Sequence, residues 1–254
     1  MHQERSYVLA LDNIPFPDGM YLGIDEEGLS FRKSSDFLLF GGGSHRTGEN
    51  ETGGIYNMLR SKAAKFWPQC VEKTCWSAQD CMTLDGVPYI GKFCITTPDW
   101  YVATGFGKWG MTSSMVSAMI ISDAISGKEN ENADVFSPQR FTPSASAKTF
   151  LDEGLYAVNN LSKQIFKPAH TEIEALPKGH GGVVESNGQK VGVYKNENGE
   201  VFMVSTRCPH LGCQLRWNPD EKSWDCPCHG SRFDYKGNLI DNPAQENLIN
   251  DIKK

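Results

Sequence analysis

Cys208-Pro-His210-Leu-Gly-Cys213, twelve intervening residues, then Cys226-Pro-Cys228-His229-Gly-Ser231-Arg-Phe233-Asp234, is the stretch from which this 254-residue chain is read. Each half supplies a thiol and an imidazole at close spacing. Two facing loops would therefore present two sulfurs and two nitrogens to one inorganic centre. Zinc accepts such a set as a Cys2His2 tetrahedron. A 2Fe-2S cluster accepts it when two histidines replace two of the four cysteines on one iron. A zinc site has no use for the further cysteine in each half, or for the Gly-Ser that follows His229. The spacing thus favours the cluster, with a structural zinc protein as the alternative.

The two boxes resemble C-x-H-x-G-C and C-P-C-H-G-S of the Rieske family at every named position. The resemblance implies that Cys208 and Cys226 hold an inner iron, and that His210 and His229 hold an outer iron nearer solvent. It implies a Cys213–Cys228 disulfide tying the two loops together, and a Ser231 hydroxyl donating to a bridging sulfide. High-potential members carry tyrosine two residues after that serine, where this chain has Phe233. Asp241-Asn-Pro243-Ala244 resembles the proline loop that covers the cluster in the family, with Asn242 where glycine is usual.

The chain is 39% hydrophobic, which leaves room for a sizeable core and two domains. Its net charge is -6 and it has no Lys/Arg cluster, so nucleic acid and anionic membrane surfaces are poor partners. The longest apolar run, around residues 115–121, falls far short of a membrane span. Residues 1–17 carry charges and prolines where a secretory signal needs an apolar core. Eight cysteines in a chain this long do not make a secreted disulfide scaffold. These features predict a cytoplasmic protein with one protected disulfide.

Short strands are predicted over residues 6–11, 20–24, 28–32 and 37–40, separated by Pro, Asp and Gly turn signals. Gly41-Gly-Gly-Ser44-His45-Arg46 reads as a tight turn lining a pocket. A phosphate cradle would need a helix at once, and the helical pattern begins only near Gly53, running to Trp67. Residues 70–82 and 85–91 read as strands. Cys70, Cys75, Cys81 and Cys94 lack ligand spacing and read as small buried hydrophobes. A strand at 100–104 feeds the turn Gly105-Phe-Gly107-Lys-Trp-Gly110, then an amphipathic helix over 111–126 closed by Gly127. Such a helix start offers N–H groups and a positive dipole end to an electron-rich ligand edge.

A second resemblance, over residues 6–141, is to the flavin-dependent amine and amino-acid oxidase superfamily. It is carried by Phe37-Leu-Leu-Phe-Gly-Gly, Trp76-Ser-Ala-Gln, Asp85-Gly-Val-Pro-Tyr-Ile-Gly91 and Ala103-Thr-Gly-Phe-Gly-Lys-Trp-Gly-Met-Thr112. It implies that Gly107, Gly110, Met111 and Thr112 close over a flavin. The superfamily's opening strand, G-x-G-x-x-G turn and helix, which hold the FAD pyrophosphate, do not stand ahead of these motifs; the one G-x-G-x-x-G run, Gly105 to Gly110, is the turn that the resemblance places over the flavin. The sequence therefore resembles the C-terminal half of a longer fusion. FAD would bind only with the nucleotide-binding half, in the same longer chain or in trans.

Residues 137–146 are a Pro/Ser-rich boundary, and 149–166 has Leu151, Leu155, Val158, Leu161 and Ile165 at helical spacing. Beyond them, strands at 182–185, 191–195 and 201–205 read as a small antiparallel sandwich or barrel. His2, His45, His170 and His180 have no partner at ligand spacing, and His45 lies beside the glycine turn. The expected fold class is α+β, in three parts. Residues 1–137 form a mixed sheet-and-helix part of a flavoenzyme substrate domain, residues 138–168 a linker with a helix, and residues 169–254 an all-β Rieske domain. The expected function is one-electron transfer between an FAD-dependent oxidoreductase module, acting on an amine or amino acid, and an unidentified donor or acceptor. A stand-alone Rieske ferredoxin with a non-catalytic N-terminal scaffold is the alternative. No catalytic residue emerges.

Overall fold

The computed structural model describes residues 1–25, 28–140, 151, 154–155, 173, 175–186 and 188–249. The chain forms two compact units, Met1–Gln3 with Asp80–Asn159, and Glu4–Gln79 with Asn160–Lys254. The second unit therefore combines two stretches that are far apart in sequence.

Strands β1 (His2–Asp12), β2 (Met20–Leu22), β3 (Ser30–Ser34), β4 (Phe37–Arg46) and β5 (Val71–Met82) form one sheet in the order β2-β3-β4-β1-β5. Arg5, Tyr7, Leu9 and Leu11 share one face of β1 by the period of two and are all buried. Helix α1 (Ile55–Phe66) places Tyr56, Leu59 and Ala63 against Tyr7, Leu9, Leu38 and Phe40. The glycine run is not the expected turn. Strand β4 continues through it, with Gly41 opposite Val8 and Gly42 opposite Tyr7. The glycines permit close packing there: a Cβ on Gly41 would stand 3.0 Å from Ser30 Oγ, and one on Gly43 would overlap Ile55.

In the first unit, β6 (Tyr89–Cys94) and β7 (Thr97–Thr104) form a hairpin, followed by α2 (Gly110–Ile125) and the short α3 (Ala133–Phe136). Residues 85–88 are not the expected strand. Arg140 takes both Asp85 carboxylate oxygens at 2.7 Å, the Val87 carbonyl at 2.6 Å and the Pro88 carbonyl at 2.9 Å, which bends this segment around its guanidinium. Helix α2 also departs from the amphipathic expectation. Ser113, Ser117 and Ile120 are buried, while Met111, Met115 and Met119 are exposed. Small serines suit close approach, and the Ser117 hydroxyl is satisfied by donating to the Ser113 carbonyl at 2.7 Å.

Strands β8 (Gly181–Ser186), β9 (Gln189–Lys195) and β10 (Val201–Ser205) form a sheet in the order β10-β9-β8. Strands β11 (Arg216–Asn218), β12 (Ser223–Asp225), β13 (Arg232–Asp234) and β14 (Leu239–Asp241) form a second, in sequence order. Trp217, Trp224, Phe233, Leu215 and Val204 fill the core together with Cys208, Cys213, Cys226 and Cys228. Gly192 is required opposite Trp224, whose ring a Cβ would meet at 2.8 Å.

Together the sheet-and-helix N-terminal region and the β-rich C-terminal region make an α+β protein. Cys70, Cys75, Cys81 and Cys94 are half-buried, not buried as expected. The expected helix over 149–166 lies outside the described residues except at 151 and 154–155, as do most of the 137–146 boundary and His170. Among the described residues no helix is long and apolar enough to cross a membrane.

Candidate metal centre

The two boxes fold as two loops with one shared hydrogen-bond pattern. In the first, Cys208 N–H donates to the Cys213 carbonyl and Gly212 N–H to the Cys208 carbonyl, both at 2.9 Å. In the second, Cys226 N–H donates to the Ser231 carbonyl at 2.8 Å and Gly230 N–H to the Cys226 carbonyl at 3.0 Å. Gly212 and Gly230 have φ of 77° and 83°, so the fifth residue of each loop needs the left-handed region. The second loop joins β12 directly to β13, which fixes both of its ends in the sheet.

Cys213 and Cys228 form a disulfide between the loops, as the resemblance implied. The sulfurs of Cys213, Cys226 and Cys228 lie within 4.8 Å of one another, and with two of them bonded to each other, Cys226 is the available thiol of the three. It faces Cys208. The neighbouring Cys226 thiol holds Cys208 below the ordinary thiol value, while Cys208 and burial push Cys226 up. The thiolate is the form that binds metal. The backbone N–H groups of His210 and Leu211 also favour the Cys208 thiolate, and those of Cys228 and His229 oppose part of the rise at Cys226.

The His210 and His229 rings stand 4.9 Å apart and nearly perpendicular, at 87°. Both are half-buried while Cys208 and Cys226 are buried, so sulfur lies inside and imidazole outside. His210 Nδ1 is buried with no hydrogen-bond partner among the described residues, leaving its lone pair for a metal. The two loops thus bring one pair of thiols and one pair of imidazoles together, and this donor set fits a 2Fe-2S cluster. Ser231 is fully buried, and its hydroxyl oxygen accepts from Ala244 N–H at 2.9 Å, which holds the Pro243–Ala244 segment against the second loop.

Several contributors were not visible in the sequence. Arg46, at the end of β4, donates to the Pro227 carbonyl at 3.2 Å and makes a longer contact of 3.5 Å with that of Cys228. Gln79 on β5 donates to the Gly230 carbonyl at 3.1 Å and accepts from Arg5 at 2.8 Å and from Thr47 at 2.7 Å. Arg5 is wholly buried, 3.9 Å from both Asp225 and Glu221. Burial lowers its pKa, and Asp225 opposes that effect. Arg232 meets the same two acids at 3.4 and 3.2 Å and Asp241 at 3.0 Å. Gly48 was the one available sign of close packing with this loop, but its partner, Pro227, lies some 180 residues on.

His45 is half-buried and stacked on Tyr7 at 5.6 Å, and burial pulls its pKa below the ordinary histidine value. His180 is exposed, with Nδ1 2.9 Å from the Lys178 carbonyl. The residues expected at a flavin lie in the other unit. Gly107 N–H donates to the Cys81 carbonyl at 3.1 Å, and Gly110 opens α2, whose first turn has no side-chain cap. Met111 is 87% exposed, and the Thr112 hydroxyl donates to the Trp109 carbonyl at 3.1 Å.

Residues 168–252 match the family of Rieske 2Fe-2S domains, and residues 1–124 match the family of FAD dependent oxidoreductases. The chain is 37% identical over 250 residues to the putative Rieske 2Fe-2S iron-sulfur protein YhfW of Bacillus subtilis, covering 96% of this chain and 49% of that protein. It thus spans about half the length of that relative. Over 45 residues it is 44% identical to the cytochrome b6-f complex iron-sulfur subunit 2 of Trichormus variabilis, covering 18% of this chain and 25% of that one. Among solved structures, glycine oxidase from Geobacillus kaustophilus superposes with a TM-score of 0.47 at 22% identity, over 56% of this chain and 39% of that one. The two family matches thus place a stretch similar to FAD dependent oxidoreductases, residues 1–124, ahead of a stretch similar to Rieske 2Fe-2S domains, residues 168–252, which holds the paired thiols and imidazoles.

Proposed function

We propose that the Rieske domain, with bounds at 169–254, relays single electrons between a flavin module that oxidises an amine or amino acid and a separate donor or acceptor. Residues 1–137 belong to the flavin module and 138–168 link the two. Cys208 and Cys226 bind one iron and His210 and His229 the other. When bound, the cluster supplies a one-electron carrier. The protein's own part is to orient four ligands with two hydrogen-bonded loops, to lock the loops with one disulfide, and to direct backbone N–H groups at the ligand sulfurs. The half-buried imidazoles, beside Leu211 at 65% exposure, give a partner the shortest approach. Gly107, Gly110, Met111 and Thr112 flank the flavin when the nucleotide-binding half is supplied.

The observation that carries this reading is that two loops tied by one disulfide each bring a buried thiol and an imidazole, with the two imidazoles meeting at 4.9 Å and nearly perpendicular. Purified protein is expected to contain about two irons and two acid-labile sulfides per chain. It should also give a Rieske-type electron paramagnetic resonance spectrum when reduced. Stoichiometric zinc in protein prepared anaerobically with ample iron would overturn the assignment.

A further inference from the structure

The second loop is held from outside its own domain. Gly48, with φ of 83°, passes so close to Pro227 that a Cβ would stand 2.8 Å from the proline Cα and N. Two residues earlier, Arg46 donates through Nε to the Pro227 carbonyl at 3.2 Å, with its NH2 group 3.5 Å from the Cys228 carbonyl. Each carbonyl shares a peptide unit with the next N–H. The N–H partners of these two carbonyls belong to Cys228 and His229, which follow Cys226 in the same loop. A cation at the oxygen end of a peptide unit draws electron density toward itself and makes the N–H a stronger donor.

We infer that Arg46 is a positioning residue for the cluster: bound to the carbonyls of the 227–228 and 228–229 peptide units, its guanidinium polarises their N–H groups, places positive charge beside the Cys226 loop and so raises the reduction potential. The inference rests on the reading of Cys226 as an iron ligand. Reduction adds negative charge, so polarised N–H groups and a positive charge beside a ligand loop favour the reduced form. Gln79 grips the same loop at Gly230 with a neutral amide. It holds the loop without adding charge. A strand of the flavoenzyme-like sheet thus sets the redox poise of the iron–sulfur loop, and the two modules are matched electrically as well as joined.

The test uses the full chain as wild type, Arg46→Gln, Arg46→Lys and Gln79→Leu. Each is checked for a Rieske-type paramagnetic resonance spectrum, then measured by protein-film voltammetry. Arg46→Gln is expected to disfavour reduction about tenfold, a fall of about 59 mV for one electron. Arg46→Lys, which keeps the charge but loses the fork, should fall by less than half as much, and Gln79→Leu by less again. An unchanged midpoint in Arg46→Gln with the spectrum intact overturns the inference. So does an equal fall in Gln79→Leu, which would mark general loosening of the loop. Should Arg46→Gln lose its spectrum, Arg46→Lys decides, a fall supporting the inference and a wild-type midpoint overturning it. A wild type without the Rieske spectrum defeats the ligand reading itself, a result distinct from the others.

Discussion

Phe233 shows how one side chain bears on the cluster from within the core. It is wholly buried on β13, paired with Trp224 and packed in the same cluster as Cys208 and Cys226. A phenyl ring donates no hydrogen bond, whereas high-potential Rieske proteins carry tyrosine at this place. A hydrogen bond to a charged group contributes roughly 1.5 to 3 kcal/mol. Only the part that differs between oxidation states counts, about 1 to 2 kcal/mol, or roughly 40 to 90 mV for one electron. Phe233→Tyr is expected to raise the midpoint by that amount. Voltammetry showing a lowered or unchanged midpoint, with the cluster spectrum intact, would place the new hydroxyl away from the sulfurs. The ligands and disulfide were legible at this scale because ligand chemistry fixes residue type and spacing within a few positions. Arg46 and Gln79 were not legible, since a side chain that donates to a distant carbonyl is bound to no spacing at all.

Helix α1 illustrates a dependence between elements. Its N-terminus has no cap from its own residues, only Gly54 at φ of 91°. The cap is supplied by Asp220, whose carboxylate accepts from Gly54 N–H and Ile55 N–H at 3.0 Å and from the Asn50 amide at 2.9 Å. A carboxylate there meets unsatisfied donors and the positive end of the helix dipole together. Asp220→Ala is expected to destabilise the protein by about 1 to 2 kcal/mol. The readout is the urea midpoint of the far-UV transition, and an unmoved midpoint would mean that water caps the helix equally well. Most element types could be read from periodicity, but two misreadings have a common cause. Gly41 to Gly43 look like a turn locally and are strand because Tyr7 and Val8 pair with them. The spacing of α2 reads as amphipathic, yet Ser113 and Ser117 are buried while Met111, Met115 and Met119 are exposed, because close packing there favours small side chains over methionine. In both cases packing against a neighbouring element overrides the local signal.

At the scale of the whole molecule, the family boundaries and the packing boundaries do not coincide. The stretch Glu4–Gln79 matches one family and packs with Asn160–Lys254, which holds the other. Between them lie Arg5, Arg232, Asp225 and Glu221, all buried or nearly so. Removing one partner from a buried ion pair costs roughly 3 to 5 kcal/mol, so either stretch opening alone would incur that loss. Native-state hydrogen exchange across a denaturant series is therefore expected to show the amides of β1 and β12 joining one unfolding isotherm. If β12 stayed protected where β1 exchanges freely, the two stretches would be independent. The same arrangement imposes a schedule on synthesis. Asp225 follows Arg5 by 220 residues, and at roughly 5 to 20 residues per second it leaves the ribosome about 10 to 45 s later. Strand β1 is made long before the strand that holds its acid, and a ribosome that stalls in that interval leaves Arg5 waiting in water for an acid not yet translated.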